Sequence, residues 1–300
     1  MHLTKLHEKV NNLLYNRFLP WSTYLWVFFK NDLQVRYAWI EWVLPFQIVN
    51  LLIGVATWLF FGRTVGGQAN LIEQQFNSNF ISYLILGMAF NGLLGYSLDA
   101  YYGAYRRGLH GSIGIYGQSI GMLDYITLSG TPITAWMGGW IAWGYVENCV
   151  HVVIYLAIGH LFGLILPQSA NYTGAILILF LGIIATSGLG LISASMIWIV
   201  GAWRGDEPIR WAIGLLVSLT SGVYFPPEVI ENSWLETVAY LLPQTHALKA
   251  ARLALLRSYS LDMLMPQITL LILYAVVLIL IGGMMFRYSL SLSRKKVLIE

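Results

Sequence analysis

The chain has 300 residues, of which 57% are hydrophobic and only 10% charged, and its formal net charge is +3. A soluble domain of this size carries about 25% charged residues, so an ordinary soluble fold is excluded, and the small positive charge gives no reason to invoke nucleic acid. A single cysteine, Cys149, excludes a disulfide framework and a Cys-based metal site.

The first 20 residues are studded with Lys, His, Glu and Asn and lack a continuous apolar core, so no cleavable signal peptide is expected. Residues 18–40 are apolar and aromatic but interrupted by Lys30, Asn31, Asp32, Gln34 and Arg36. Trp26, Phe29, Leu33, Tyr37 and Ile40 recur at helical spacing, which predicts an amphipathic helix at the membrane–water boundary. The alternative is a helix packed on cytoplasmic protein.

Long apolar runs with few or no charges follow, each long enough to cover about 30 Å of hydrocarbon as a helix of about 20 residues. They predict spans at 42–62, 80–105, 137–165, 175–203 and 263–286, with LPQSANYTG at 166–174 as the turn dividing the third from the fourth. A further run, 211–225, rises only about 22 Å. Counting it gives six spans. Lys5, Lys9, Arg17, Lys30, Arg36, Arg106, Arg107, Arg204, Arg210, Arg287, Arg294, Lys295 and Lys296 then fall on one side, against Arg63, Lys249, Arg252 and Arg257 on the other. Basic residues gather on the cytoplasmic side, so both termini of this multi-pass protein are expected there.

Between the spans, 108–135 is glycine-rich and predicts cytoplasmic short helices, with Met122, Leu123, Ile126 and Leu128 as a small apolar face. Residues 226–262 cannot cross, because Lys249, Arg252, Arg257 and several carboxylates interrupt them. Ser233 and Glu236 have capping-box spacing, Val238, Leu241 and Leu242 extend an apolar face, and Pro243 breaks it before a second amphipathic stretch. This predicts a re-entrant hairpin, or else an outer amphipathic loop.

Several further features stand out. Glu147 and His151 lie one helical turn apart inside the third span, where a charge costs at least about 2.5–3.5 kcal/mol. They are read as an interhelical packing bond or as a proton relay. His160 and Cys149 are read as structural. Gly159 and Gly163 have GxxxG spacing, a close-packing pattern. Asp99, Arg106 and Arg107 are read as headgroup anchors, and Tyr96, Tyr101, Tyr102, Tyr224 and Phe225 as aromatic belts.

The order of elements resembles the type-2 ABC exporter permeases, across nearly the whole chain. Gly222-Val223-Tyr224-Phe225-Pro226 is similar to the family's Gly-x-x-aromatic-Pro, Leu242-Pro243-Gln244-Thr245-His246 to its Pro-x-Thr step, and Ala250-Ala251-Arg252 to its Ala-x-Arg. Gly121-Met122-Leu123-Asp124 resembles the opening of the family's coupling helix, although Ser129-Gly130 replaces its Ser/Thr-Pro and Pro132 comes later, so this helix is expected to end differently. The resemblance implies an all-α membrane fold, one permease domain over 1–300, with an N-terminal interface helix (Trp26, Phe29, Arg36, Tyr37). It also implies coupling residues (Gly121, Met122, Leu123, Asp124, Ile126, Leu128, Pro132) and an exit hairpin (Gly222, Tyr224, Phe225, Pro226, Pro243, Thr245, Arg252).

The implied function is outward transport of an amphipathic, lipid or lipid-linked glycan substrate across the cytoplasmic membrane. The Asp32–Tyr37 string resembles polysaccharide exporters and the 221–252 region drug and lipid exporters. The implied partners are membrane lipids, a second permease copy or homologue, and a separate ATP-binding subunit that holds ATP and magnesium. Consistently, no G-x-x-x-x-G-K-[ST] string occurs in the chain, so no ATP chemistry is expected of it. No cofactor or metal is expected either, and no catalytic residue. The rival reading is a self-contained proton-coupled secondary transporter using Glu147 and His151.

Overall fold

The computed structural model describes residues 20–37, 40–65, 69–110, 112–115, 118–200, 208–229 and 233–297. The expectations for Lys5, Lys9, Arg17 and Arg204 lie outside them. The fold is almost wholly helical: α1 Trp21–Tyr37, α2 Ile40–Val65, α3 Ala69–Phe76, α4 Phe80–His110, α5 Met122–Leu128, α6 Ile133–Phe162, α7 Tyr172–Ile199, α8 Pro208–Thr220, α9 Ser233–Leu241, α10 Pro243–Leu256 and α11 Leu261–Val297. Five helices, α2, α4, α6, α7 and α11, are long and apolar enough to cross a membrane. Lipid offers backbone amides no partners, so such runs satisfy their own hydrogen bonds as helices.

Several boundaries differ from the sequence reading. The run expected at 211–225 is helical only to Thr220, so α8 has 13 residues and rises about 20 Å. Residues 108–135 contain more than short helices. Ser112–Ile115 (β1) and Gln118–Gly121 (β2) form an antiparallel hairpin with Ile115 opposite Gln118, because isoleucine alternates with small residues at the strand period of two. Gly163 does not sit on a packing face. It has φ +98 and ends α6, so the GxxxG spacing straddles a helix end.

The chain divides into two compact units, one made by the described residues of Met1–Trp39 and of Arg107–Trp143, the other by those of Ile40–Arg106 and Gly144–Glu300. In the first, Leu25 and Phe28 of α1 lie against Gly138 and Gly139 of α6, Phe29 meets Trp143 at 5.7 Å, and Trp21 Nε1 donates to Thr134. Trp26, Val27 and Leu33 stay exposed. Thus α1 seats one apolar side on protein and leaves another uncovered.

In the second unit, α7 and α11 pack most extensively, and Gly188 lets the α11 backbone at Leu278 and Ile279 approach where a methyl would collide. Three connections meet at one end of this unit. Asn171 caps α7 by accepting from Gly174 N at 2.8 Å and donates to Tyr259 O at 2.7 Å, Asn79 donates to Gly163 O at 3.1 Å, and Arg257 donates to Gln74 O. At the other end, Arg210 pairs with Asp99 at 3.0 Å and lies over Tyr102, while Trp198 donates to Tyr105 at 2.8 Å.

Candidate functional site

The most heavily engineered locus surrounds Arg252 on α10. It is 1% exposed, and no carboxylate pairs with it among the described residues. Its guanidinium donates instead to three backbone carbonyls: Nε to Tyr83 at 3.1 Å, Nη1 to Gly222 at 2.6 Å and Nη2 to Val223 at 2.8 Å. The plane lies 3.6 Å from the Tyr83 ring centroid, a cation–π contact. Burial pulls the arginine pKa down and the Tyr83 charge would raise it, yet a guanidinium stays protonated in proteins. Charge-assisted bonds to carbonyls just beyond the negative end of α8 replace the missing counter-ion.

The local sequence makes this possible at three points. The chain leaves α8 through Gly222, whose φ of +79 is a left-handed conformation costly for any side chain. This turns the carbonyls of 222 and 223 inward. The Gly222 carbonyl also accepts from the Tyr83 hydroxyl at 2.8 Å, so both of its lone pairs are used. Gly87, one turn beyond Tyr83 on α4, offers bare backbone, and a methyl there would overlap Arg252 Nη2 and the Val223 oxygen.

The unwound residues 221–226 are then fixed by stacking. Tyr224 lies 3.7 Å from Trp58 at 15°, and Phe225 meets Trp58 and Phe80, each at 6.1 Å. Pro226 is buried and precedes a single 3-10 turn, Pro227–Val229. At the next corner, Pro243 opens α10 after an extended Leu242, and Thr245 Oγ1 donates to Ala239 O at 2.6 Å. His246 Nε2 faces the Tyr240 carbonyl at 2.7 Å. A ring nitrogen opposite a carbonyl must carry the proton, and burial, the larger influence, holds this imidazole below its usual pKa. Gln244 is fully buried with neither amide atom hydrogen-bonded among the described residues.

Glu228 ties the segment to both short helices, accepting from Tyr240 and from Lys249 Nζ, each at 2.7 Å. Burial acts to raise its pKa, but the Lys249 and Tyr240 bonds outweigh it and leave the carboxyl below its ordinary value. The Tyr240 hydroxyl is pushed up, by burial first and then by that carboxylate.

The motifs at 222–226 and 250–252 therefore meet in space, and the 242–246 step opens the helix that carries Arg252. Tyr83, Gly87, Trp58 and the Glu228–Tyr240–Lys249 triad complete the locus and had no sequence signal. The expected apolar face of the hairpin is divided: Leu242 is buried, Val238 half-buried and Leu241 64% exposed.

The other expected sites are less connected. Glu147 accepts from Gln47 of α2 at 3.0 Å. His151 Nε2 is buried with no partner among the described residues. His160 and Cys149 are exposed. Ile126 is buried whereas Leu128 is 81% exposed, so they do not share the face expected of them. The helix carrying Met122, Leu123 and Asp124 does end at Leu128, in the turn of Ser129 and a left-handed Gly130, and Pro132 precedes α6. Ser129 Oγ closes it by donating to Ile126 O at 2.8 Å. Arg36 and Tyr37 complete the α1 helix.

No protein-family model matches the chain, and no curated protein matches it.

Proposed function

We propose that this chain is the membrane-spanning permease subunit of an ATP-driven exporter of the type-2 ABC class. It moves an amphipathic, lipid or lipid-linked glycan substrate outward, as a dimer docked on ATP-binding subunits. The observation that carries the reading is the contact at Arg252: two of the motifs quoted for the resemblance, at 222–226 and 250–252, are joined by one side chain at the exit of a short apolar helix. Hydrogen-bond competition explains why. Non-helical backbone at membrane depth survives only where protein satisfies it, and Arg252 satisfies the carbonyls of Gly222 and Val223.

The short α8 supports a sixth crossing. Its start lies by Asp99 through Arg210, and the residues after its end lie by Tyr83. Asp99 and Tyr83 are about 24 Å apart along α4. Helix and unwound exit together therefore follow most of a neighbouring span. On this reading the α9–α10 hairpin lies at the far end, where the connections at 77–79, 163–171 and 257–259 also gather. Two such hairpins across a dimer axis would frame an exit, and the exposed Leu241 is the surface available for that contact.

The test is coexpression. The purified chain alone hydrolyses no ATP, whereas a complex with the ATP-binding subunit of its operon turns over, and joint replacement of Leu123 and Asp124 by alanine weakens the complex or uncouples hydrolysis from transport. Vesicles in which the chain alone sustains pH-gradient-driven flux would sink the reading in favour of a secondary transporter. Normal coupling in the double variant would remove the α5 docking assignment.

A further inference from the structure

Where the connections of the second unit meet, two open hollows of about 540 and 410 Å³ share Asn77, Pro167 and Leu256 as walls and so run into one groove. Glu73, Asn77 and Ser78 line the first hollow, and their side chains make no hydrogen bond or ion pair among the described residues. Ser169 and Ser258 line the second and bond to each other at 2.8 Å, which uses one O–H and leaves the other for a ligand. Arg257, beside them, donates to the Gln74 carbonyl through one nitrogen and has further donors available. Ile165, Pro167 and Leu256 add apolar surface to the same walls. The walls are also held in place. Asn79 donates to Gly163 O at 3.1 Å and accepts from Ser82 N at 2.8 Å. Asn77 and Ser258, with φ 50 and 56, are the two non-glycine residues in left-handed backbone among the described residues, and both stand on this groove. Such conformations persist where the surroundings over-determine them, and they collect at ligand-binding sites.

This chemistry selects a class of ligand. An anion meets the Glu73 carboxylate and a cation meets the Arg257 guanidinium. Neutral hydroxyls suit both, because they donate to carboxylate and amide oxygens and accept from amide, serine and guanidinium hydrogens. Apolar C–H surface beside a rim of hydroxyls is the make-up of a sugar ring. A hexose has the bulk of about six waters, roughly 180 Å³ at 30 Å³ each, so either hollow admits one ring and the shared walls let a disaccharide bridge them. We propose that this groove binds a neutral saccharide of two or more rings. Its hydroxyls lie on Glu73, Asn77 and Ser78 at one end and on Arg257 and the serine pair at the other. The inference rests on the proposed function only for the side of the membrane on which the groove opens, and it covers both a free glycan and the sugar of a glycolipid.

The test uses the full chain without any partner, in an amine-oxide detergent that carries no sugar, titrated with cellobiose, maltose and diacetylchitobiose and read by saturation-transfer NMR. At least one of the three saturates the chain in the millimolar range. Asn77→Gly removes the amide yet suits the left-handed backbone. For the tightest disaccharide it weakens binding about fivefold and Glu73→Gln about tenfold, the loss of one neutral and one charge-assisted hydrogen bond, with unfolding midpoints unchanged. Ser258→Gly, on the other hollow, weakens binding likewise and keeps the test decisive if Asn77→Gly fails to fold. A long-chain alkyl glycoside of the same disaccharide identifies the source. Tighter binding than the free sugar assigns the groove to a glycolipid, equal binding to a free or polymeric glycan, and either supports the saccharide seat. No saturation by any of the three, or binding unaltered in all three variants, overturns the proposal. Tighter binding of glycine or phosphoethanolamine than of every disaccharide also overturns it, in favour of a zwitterion seat. ATP-driven transport by a chain that binds no saccharide would leave the permease reading standing and remove the groove. Saccharide binding by a chain that assembles with no ATP-binding subunit would do the reverse.

Discussion

Arg252 and the Glu147–His151 pair are both ionisable groups set among apolar helices, and the chain treats them in opposite ways. Arg252 spends its donors on three carbonyls and lays its plane on an aromatic ring. Glu147 takes an amide hydrogen from Gln47, while His151 Nε2 is left without a described partner. The first arrangement is over-determined: every group it touches also needs it. The second is a local accommodation between two helices, whose members can be exchanged for other hydrogen-bonding groups. Burial of a charge therefore says little until its partners are counted.

The contrast is broken most directly at Arg252. Arg252→Met removes three charge-assisted bonds at once and leaves the Gly222 carbonyl with the Tyr83 hydroxyl alone, and hydrogen bonds to charged groups are worth about 1.5–3 kcal/mol each. We expect the unfolding midpoint in detergent to fall by roughly 10 °C or more, with Arg252→Lys intermediate because an ammonium lacks the planar fork. A midpoint within a degree of the unaltered chain would show that the carbonyls find water. Next in size is Gly222→Ala, since a left-handed φ costs a residue with a Cβ about 1–2 kcal/mol. The same thermal assay reads it, and Gly214→Ala, on open space within α8, is its control, expected to stabilise by up to about 1 kcal/mol because alanine is the better helix former.

Glu147→Gln should be much milder, because the new amide still accepts from Gln47. Stability is expected to stay within about 0.5 kcal/mol and transport in vesicles to persist. Abolished transport with normal stability would raise the pair to a proton-carrying site. Glu147→Leu, which orphans the Gln47 amide, should cost about 1–3 kcal/mol.

The smallest effect concerns Glu228. Its folded pKa lies below the ordinary 4.5, so its contribution is fully present above that value and fades as pH falls through the folded pKa. The melting midpoint of the unaltered chain should therefore drop more steeply below pH 4.5 than that of Glu228→Gln, by about 2–4 °C for each kcal/mol of linkage. Parallel curves would remove Glu228 as the anchor of Tyr240 and Lys249.

The long helices were legible because lipid imposes one rule on every residue of a crossing run. The motif residues were legible as an ordered series, and their spacing around prolines located α9 and α10 to within a few residues. Their meeting point was not, because Tyr83 and Gly87 lie 135 and more residues upstream of Gly222 in an unremarkable apolar run, and nothing local marks an aromatic ring as the floor of an arginine. Gly159 does pack closely against Ile85 of α4, but Gly163 misled for the opposite reason: the spacing is shared by a packing face and by a helix that stops. The strands at 112–121 were missed because glycine hides alternation, leaving isoleucine as the sole periodic signal.

The Arg252 clamp also sets an order of assembly. Arg252 is synthesised 30 residues after the Gly222 carbonyl it binds, a delay of roughly 1.5–6 s at 5–20 residues per second. Until then the Gly222 carbonyl has only the Tyr83 hydroxyl, and the Val223 carbonyl lacks the arginine that satisfies it. On the proposed membrane reading, residues 208–225 settle among apolar neighbours only once Arg252 has reached the exit of α8.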